Sequence, residues 1–243
     1  MGQTTSLIAH RGASADAKEN TLEAFNLAFE QGADGIEGDF LLTRDRKIIA
    51  FHDLNTKRLL GKDLATKSLA LDEIRQFSPY YIPELHETLD ILPQGKQIFI
   101  ELKCGRQVEQ ELIETFRSSQ ILLDQVTVIS FRLPTLIRLR KLCPEIKILW
   151  IRHFRLSKGR ISPDLKETRA VIEKHKFNGI SSNATHINKE FINEFKDLEI
   201  NCWTVDSAER YHELEQLGCH SISTNCPGFI RKGLKELKNE LRF

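Results

Sequence analysis

A (β/α)8 barrel, an α/β fold with a small insertion after its second strand, is what this sequence predicts, and three observations point to it. Eight short runs rich in Ile, Val and Leu recur from end to end, at residues 7–10, 35–40, 98–102, 126–130, 147–151, 178–182, 199–203 and 221–224. Longer stretches with helical apolar spacing separate them. The length of 243 residues is close to the roughly 250 typical of that barrel. An open doubly wound sheet, the main rival, would announce itself by a glycine-rich dinucleotide or phosphate loop, and the sequence has none.

The elements follow in order. After the first run, Leu22, Phe25, Leu27, Ala28 and Phe29 mark one face of a helix that stops at Gly32. Asn20-Thr21-Leu22-Glu23 reads as its capping box, with Asn20 as the cap and Glu23 three residues on. Residues 40–53 read as a hairpin turning at Asp45-Arg46, a register that sets His52 opposite Asp39 and on its face. Residues 54–97 exceed a plain crossover; 71–77 and 85–92 are expected short helices, with Pro79 and Pro83 between them. No repeat, linker or low-complexity tract interrupts the chain, so residues 1–243 are expected to form one barrel domain carrying that insertion.

Composition excludes several classes. Lys and Arg number 35 against 34 Asp and Glu, a net charge of +1, which gives no electrostatic reason to expect a nucleic-acid partner. With 40% hydrophobic and 28% charged residues, the chain is neither disordered nor polytopic. No apolar run reaches the roughly 18 residues of a membrane span, and Met1–Ser6 lacks a signal-peptide start, so a cytoplasmic location and no stable membrane insertion are expected. Met1-Gly2-Gln3-Thr4-Thr5-Ser6 fits a short myristoylation pattern, a weak motif. The five cysteines form no Cys-x-x-Cys pair, which argues for reduced thiols over disulfides or a zinc site.

Chemistry gathers at strand ends. Side chains two apart on a strand share a face, so Glu37 and Asp39 point one way, as do Glu101 and Lys103. Three inward carboxylates repel one another unless a divalent cation neutralises them, and all-oxygen ligation suits Mg2+, Ca2+ or Mn2+. The alternative on spacing alone is a salt network with Lys103 and Arg11. His10 ends the first strand and His52 the hairpin, and two histidines beside such a site could act as general base and general acid. Glu19 could orient His10 or Arg11, while Trp203 could cover a ligand or belong to the core. Arg152, His153, Arg155, Lys158 and Arg160 fit a solvated loop better than an anion-attracting one.

Taken together, His10-Arg11-Gly12, Glu19-Asn20-Thr21, Gly35-Ile36-Glu37-Gly38-Asp39, His52-Asp53, Glu101-Leu102-Lys103, Ser130-Phe131, Trp203-Thr204-Val205 and Thr224-Asn225-Cys226-Pro227 resemble the glycerophosphodiester phosphodiesterase family, in order and spacing, over almost the whole chain. The resemblance implies a barrel that hydrolyses glycerophosphodiesters to sn-glycerol 3-phosphate and an alcohol such as choline, ethanolamine or glycerol, through a cyclic phosphate. It further implies that Glu37, Asp39 and Glu101 bind the divalent cation, that His10 and His52 are the acid and base, that Arg11 and Lys103 hold the phosphate, and that Phe131 and Trp203 line the pocket. Two departures stand out: Asn225 replaces a usual Asp at a position read as a cap for the last helix, and the loop from Gln76 to Ile82 is short. A lysophospholipase D acting on lysolipids, with Phe77, Tyr80 and Tyr81 as an apolar rim, and a catalytically silent barrel that only binds are the alternatives.

Overall fold

The computed structural model describes residues 5–105, 107–157 and 160–240. Residues 1–4 of the myristoylation pattern and Lys158 lie outside them. The elements are β1 (Ser6–His10), α1 (Leu22–Glu30), β2 (Gly35–Leu42), β3 (Ile48–Ala50), α2 (Lys57–Leu60), α3 (Leu71–Phe77), α4 (Leu85–Asp90), β4 (Gln97–Leu102), α5 (Val108–Ser118), β5 (Val126–Ser130), α6 (Leu133–Leu142), β6 (Lys147–Arg152), β7 (Arg155–Ser157), β8 (Arg160–Ser162), α7 (Leu165–Lys174), β9 (Gly179–Asn183), α8 (Lys189–Glu194), β10 (Glu199–Trp203), α9 (Ala208–Leu217), β11 (Ser221–Thr224) and α10 (Pro227–Glu240). All eight expected runs are strands.

Parallel pairing runs β1-β2-β4-β5-β6-β9-β10-β11, and β1 pairs again with β11, which closes the barrel. The period of two divides each strand between two environments. Leu7 and Ala9, Ile36 and Phe40, Ile98 and Ile100, Val126 and Val128 face outward and pack with Phe25, Leu112, Leu136, Tyr211 and Ile230 of the surrounding helices. Their partners Ile8, Phe99, Ile129, Leu149 and Ile151 fill the interior. Burying one such aliphatic or aromatic side chain contributes about 1.5–3 kcal/mol, so the alternation itself is a large part of what closes the barrel. On the β9–β11 side the interior turns polar, with Asn201 Nδ2 donating to Ser221 Oγ (3.0 Å) and Ser181 Oγ donating to Asn201 Oδ1 (2.7 Å).

The insertion has its own apolar cluster. Leu41, Ile49 and Phe51 of the β2–β3 hairpin gather Leu60, Leu71, Ile74 and Ile82. Phe77 and Tyr80 are partly buried against this cluster, while Tyr81, with Arg75 over its ring at 4.3 Å, stays exposed. β7, which is exposed, pairs antiparallel with β8 where a loop is the expectation.

Two local expectations are corrected. α1 starts at Leu22, so the residue in the cap position is Thr21, whose hydroxyl accepts from the Ala24 N–H at 3.2 Å. Asn20 instead takes a positive φ of 58° and turns its amide inward. A cap needs extended backbone immediately before the first helical residue, a requirement that Thr21 meets with φ −115°. Thr21→Ala is expected to lower stability by about 1 kcal/mol, read in thermal unfolding as a fall of about 2–4 °C for a chain of this size. The hairpin register also differs by one residue, pairing Leu41 with Ile49 and Leu42 with Ile48. Its loop is longer than the two-residue turn expected, closed by Thr43 N–H donating to Lys47 O (2.9 Å) and Thr43 Oγ1 donating to Asp45 Oδ1 (2.6 Å). Phe51, not His52, therefore meets Asp39, its N–H donating to Asp39 O at 2.8 Å.

Candidate active site

The parallel register brings the acidic residues together. β1 and β2 set His10 beside Glu37, and β2 and β4 set Asp39 beside Glu101. Alternation aims all four inward, one layer above Ile8, Phe99 and Ile129. Oxygens of Glu37, Asp39 and Glu101 then lie within 4.8 Å of one another, and all three side chains are buried. Two cations answer them. Arg11 Nε is 3.0 Å from Asp39 Oδ2, and Lys103 Nζ is 3.3 Å from Asp39 Oδ1 and 2.8 Å from Glu101 Oε1. Asn20 Nδ2 donates to Asp39 Oδ2 (3.0 Å), and the Arg11 N–H donates to Glu37 Oε2 (3.0 Å).

Arg11 reaches this position through a left-handed backbone, φ 59°, followed by Gly12 at φ 81°. A Cβ on Gly12 would stand 2.5 Å from the Ala24 carbonyl carbon, so only glycine lets the loop rest on α1.

Burial over an apolar floor, then the charge of Asp39, pushes Glu37 up to about 8 and Glu101 up to about 7. Asp39 is lower than an ordinary carboxyl, because Arg11 and Lys103 outweigh its burial. The trio is thus not neutralised by its two cations. Glu37 Oε1, Asp39 Oδ1 and Glu101 Oε1 are buried without a well-formed hydrogen bond; the last two meet Lys103 only as ion pairs. One oxygen without a partner and two that meet only the Lys103 ammonium, all converging on one point, suit a divalent cation of the Mg2+ or Ca2+ kind.

His10, Arg11, Glu37, His52, Glu101, Lys103, Phe131 and Trp203 line one cavity of about 290 Å3. Asp39 lies fully buried beneath it. His52 enters although its register was misjudged: β3 ends at Ala50, so the strand pleat does not govern where His52 points. Burial lowers the basicity of His52 and, with Arg11, that of His10. Phe131 stands edge-on to Trp203 at 6.1 Å, and with Ile129 and Ile151 they make an apolar wall. Arg152 stacks on Trp150 at 4.5 Å, His153 approaches Trp203 at 6.1 Å, and Arg155 is exposed on the hairpin.

A family model described as the glycerophosphoryl diester phosphodiesterase family matches residues 10–229. The chain belongs to that family. It is accordingly a phosphodiesterase on a barrel scaffold. YhdW of Bacillus subtilis is 30% identical over 242 residues, covering 93% of this chain and 96% of that one. The glycerophosphodiester phosphodiesterase of Caldanaerobacter subterraneus is 29% identical over 253 residues, covering 94% and 99%. An Oleispira antarctica phosphodiesterase, solved with its product sn-glycerol-3-phosphate, superposes with a TM-score of 0.80 at 22% identity, covering 96% of this chain and 97% of that one.

Around this cavity stand further contacts, only some of which are legible in the sequence. Glu19 does meet Arg11 (3.3 Å), yet it also meets Arg58 Nη2 (2.7 Å) from the insertion. Arg58 Nε reaches Asp53 (2.6 Å), which in turn holds His52 Nδ1. Nothing in the spacing of Arg58 marks it. Asn20 was legible only as a cap, and Asn225 likewise; the Asn225 side chain bonds His10, Ser14 and Asp206 instead.

Proposed function

We propose that this phosphodiesterase hydrolyses small glycerophosphodiesters, such as glycerophosphocholine or glycerophosphoethanolamine, to sn-glycerol 3-phosphate and the free alcohol. The observation that carries the reading is the convergence of two carboxylates, two histidines, a guanidinium and an ammonium on one cavity, with the Asp39 carboxylate buried beneath it. Glu37, Asp39 and Glu101 would hold a divalent cation, with Mg2+ or Ca2+ favoured by the oxygen donors and Mn2+ also compatible. Such an ion supplies Lewis-acid stabilisation of charge on the phosphoryl oxygens.

The remaining steps fall to the chain itself. Arg11 and Lys103 face the nonbridging oxygens, where negative charge grows as attack proceeds. One of His10 and His52 takes the proton of the glycerol 2-hydroxyl as it attacks phosphorus, forming a cyclic phosphate, and the other protonates the departing alkoxide. Water then opens the ring with the roles reversed. The attacking hydroxyl sits in the same molecule as the phosphorus, so positioning replaces a second encounter. Phe131 and Trp203 would bound the organic part of the substrate. One barrel domain with an insertion, a cytoplasmic setting and no lasting membrane insertion belong to the same proposal; among the described residues no helix is long and apolar enough to cross a membrane.

Purified protein given glycerophosphocholine, first with EDTA and then with Mg2+, Ca2+ or Mn2+ restored, tests this reading. Release of glycerol 3-phosphate that chelation stops and one cation restores is the expected result. No release under any cation would overturn it.

Cation affinity should also rise with pH. Glu37 near 8 and Glu101 near 7 are largely protonated at pH 6, so the ion must displace protons there. Both shifts are upward, so what these groups contribute to stability is present below the ordinary carboxylate range and lost as pH climbs through 7 to 8. The ion offsets that loss. Calorimetric titration in two buffers of different ionisation enthalpy should show proton release near pH 7 that disappears above pH 9, and equal affinity at both pH values would refute the displacement.

A further inference from the structure

The hydrogen bonds behind His10 lead out of the cavity to two residues that the proposed chemistry does not use. His10 Nδ1 lies 2.8 Å from Asn225 Oδ1. Asn225 Nδ2 donates to Asp206 Oδ2 (2.7 Å), and the Asn225 backbone N–H donates to Asp206 Oδ1 (2.7 Å). Thr224 Oγ1 also donates to Asp206 Oδ1 at 2.9 Å. Asp206 sits between β10 and α9, and Asn225 between β11 and α10. The chain of bonds therefore ties two loops at the catalytic end of the barrel to the last residue of β1.

Chemistry decides which way the amide points. An ionised carboxylate only accepts hydrogen bonds. Turned round, the Asn225 carbonyl would face Asp206 Oδ2 at 2.7 Å with no hydrogen between them. In the orientation present, Nδ2 donates outward and Oδ1 accepts inward. Ser14 Oγ lies 2.7 Å from His10 O and 3.1 Å from Asn225 Oδ1, and since an amide oxygen has two acceptor positions Oδ1 still accepts from the ring. An amide oxygen cannot donate, so a neutral His10 must carry its hydrogen on Nδ1. Nε2 then keeps its lone pair on the cavity side, 4.0 Å from Glu37 Oε2.

We propose that Asn225 and Asp206 are a positioning pair, in which the Asp206 carboxylate fixes the Asn225 amide and the amide fixes both the tautomer and the orientation of His10. The proposal rests on the reading of His10 as a proton carrier. It differs from the arrangement at His52, whose Nδ1 meets the Asp53 carboxylate directly. The pair acts on the ring and not on substrate, so its loss should appear in kcat and spare KM.

The test combines 15N NMR of His10 in the full chain, at a pH where the ring is neutral, with kcat and KM for glycerophosphocholine. The unsubstituted protein should show the Nδ1-protonated tautomer. Asn225→Leu should mix the tautomers and lower kcat by about 10–100-fold, as loss of an orienting partner does, with KM held within about twofold. Asn225→Asp alone sets two carboxylates face to face and should lower kcat about tenfold, whereas Asn225→Asp with Asp206→Asn restores one donor facing one acceptor and recovers most of that loss. A pair that merely held the loops would lose and regain kcat in step with the unfolding midpoint, with the His10 tautomer unchanged in Asn225→Leu. An Nε2-protonated ring in the unsubstituted protein, wild-type kcat in Asn225→Leu, or additive losses in the charge swap would each overturn the proposal. Should Asn225→Leu fail to fold, the His10 tautomer and kcat of Asn225→Ala decide. Should His10→Ala keep its turnover, the acid–base reading falls, and the tautomer alone decides whether the pair holds the ring.

Discussion

His10→Ala and His52→Ala are each expected to lower kcat for glycerophosphodiester hydrolysis by about 10²–10⁴-fold, the range for losing one general acid or base, while the thermal unfolding midpoint stays nearly unchanged. Both rings line the cavity at strand or hairpin ends, outside the apolar clusters that hold the barrel and its insertion together. His52 is anchored by Asp53, itself held by Arg58, and His10 by Asn225. On the proposed acid–base reading, truncation removes a proton carrier and leaves polar anchors that can turn to water. The double variant should be little worse than the poorer single one if, as proposed, each histidine serves half of one proton relay. Near-native turnover in either single variant would end the acid–base assignment.

Glu37→Gln and Asp39→Asn should each abolish the response to added cation, with kcat falling by about 10³-fold if the ion supplies several kcal/mol of charge stabilisation. Their effects on the metal-free fold should differ in sign. Glu37 carries a raised pKa near 8, so a neutral amide of the same shape removes a buried charge that the fold disfavours above that pH. Asp39 is the carboxyl that Arg11 and Lys103 both face. Neutralising it leaves those two cations partly buried with weaker partners, and breaking a buried pair costs about 3–5 kcal/mol at most. Urea or thermal unfolding in EDTA at pH 9 should therefore find Glu37→Gln as stable as the parent or more so, and Asp39→Asn clearly less stable. Equal losses would mean that the three carboxylates share their partners evenly.

Hydrogen bonding among distant segments is what sequence reading handled least well. Asn20 matched a helix cap because Glu23 follows at the right spacing, yet the start of α1 at Leu22 gave that position to Thr21 and freed Asn20 for Asp39. The two-residue turn assumed at Asp45-Arg46 failed because Thr43 closes a longer loop on Lys47. Arg58 carries no local signature, since its role depends on Glu19 and Asp53, which approach it only in the folded chain.

The eight strands, by contrast, were legible because alternation of Ile, Val and Leu is a local property, and so was the inward direction of Glu37, Asp39, Glu101 and Lys103. The sequence by itself therefore determined the barrel, the face each strand turns inward and the residue types available at its mouth. Tertiary structure alone decided which of them touch. The parallel register put Asp39 beside Glu101, the end of β3 released His52 into the cavity, and two loops far apart in the chain met behind His10. Those contacts are set by relative shifts between strands and loops that the period along any one strand does not encode.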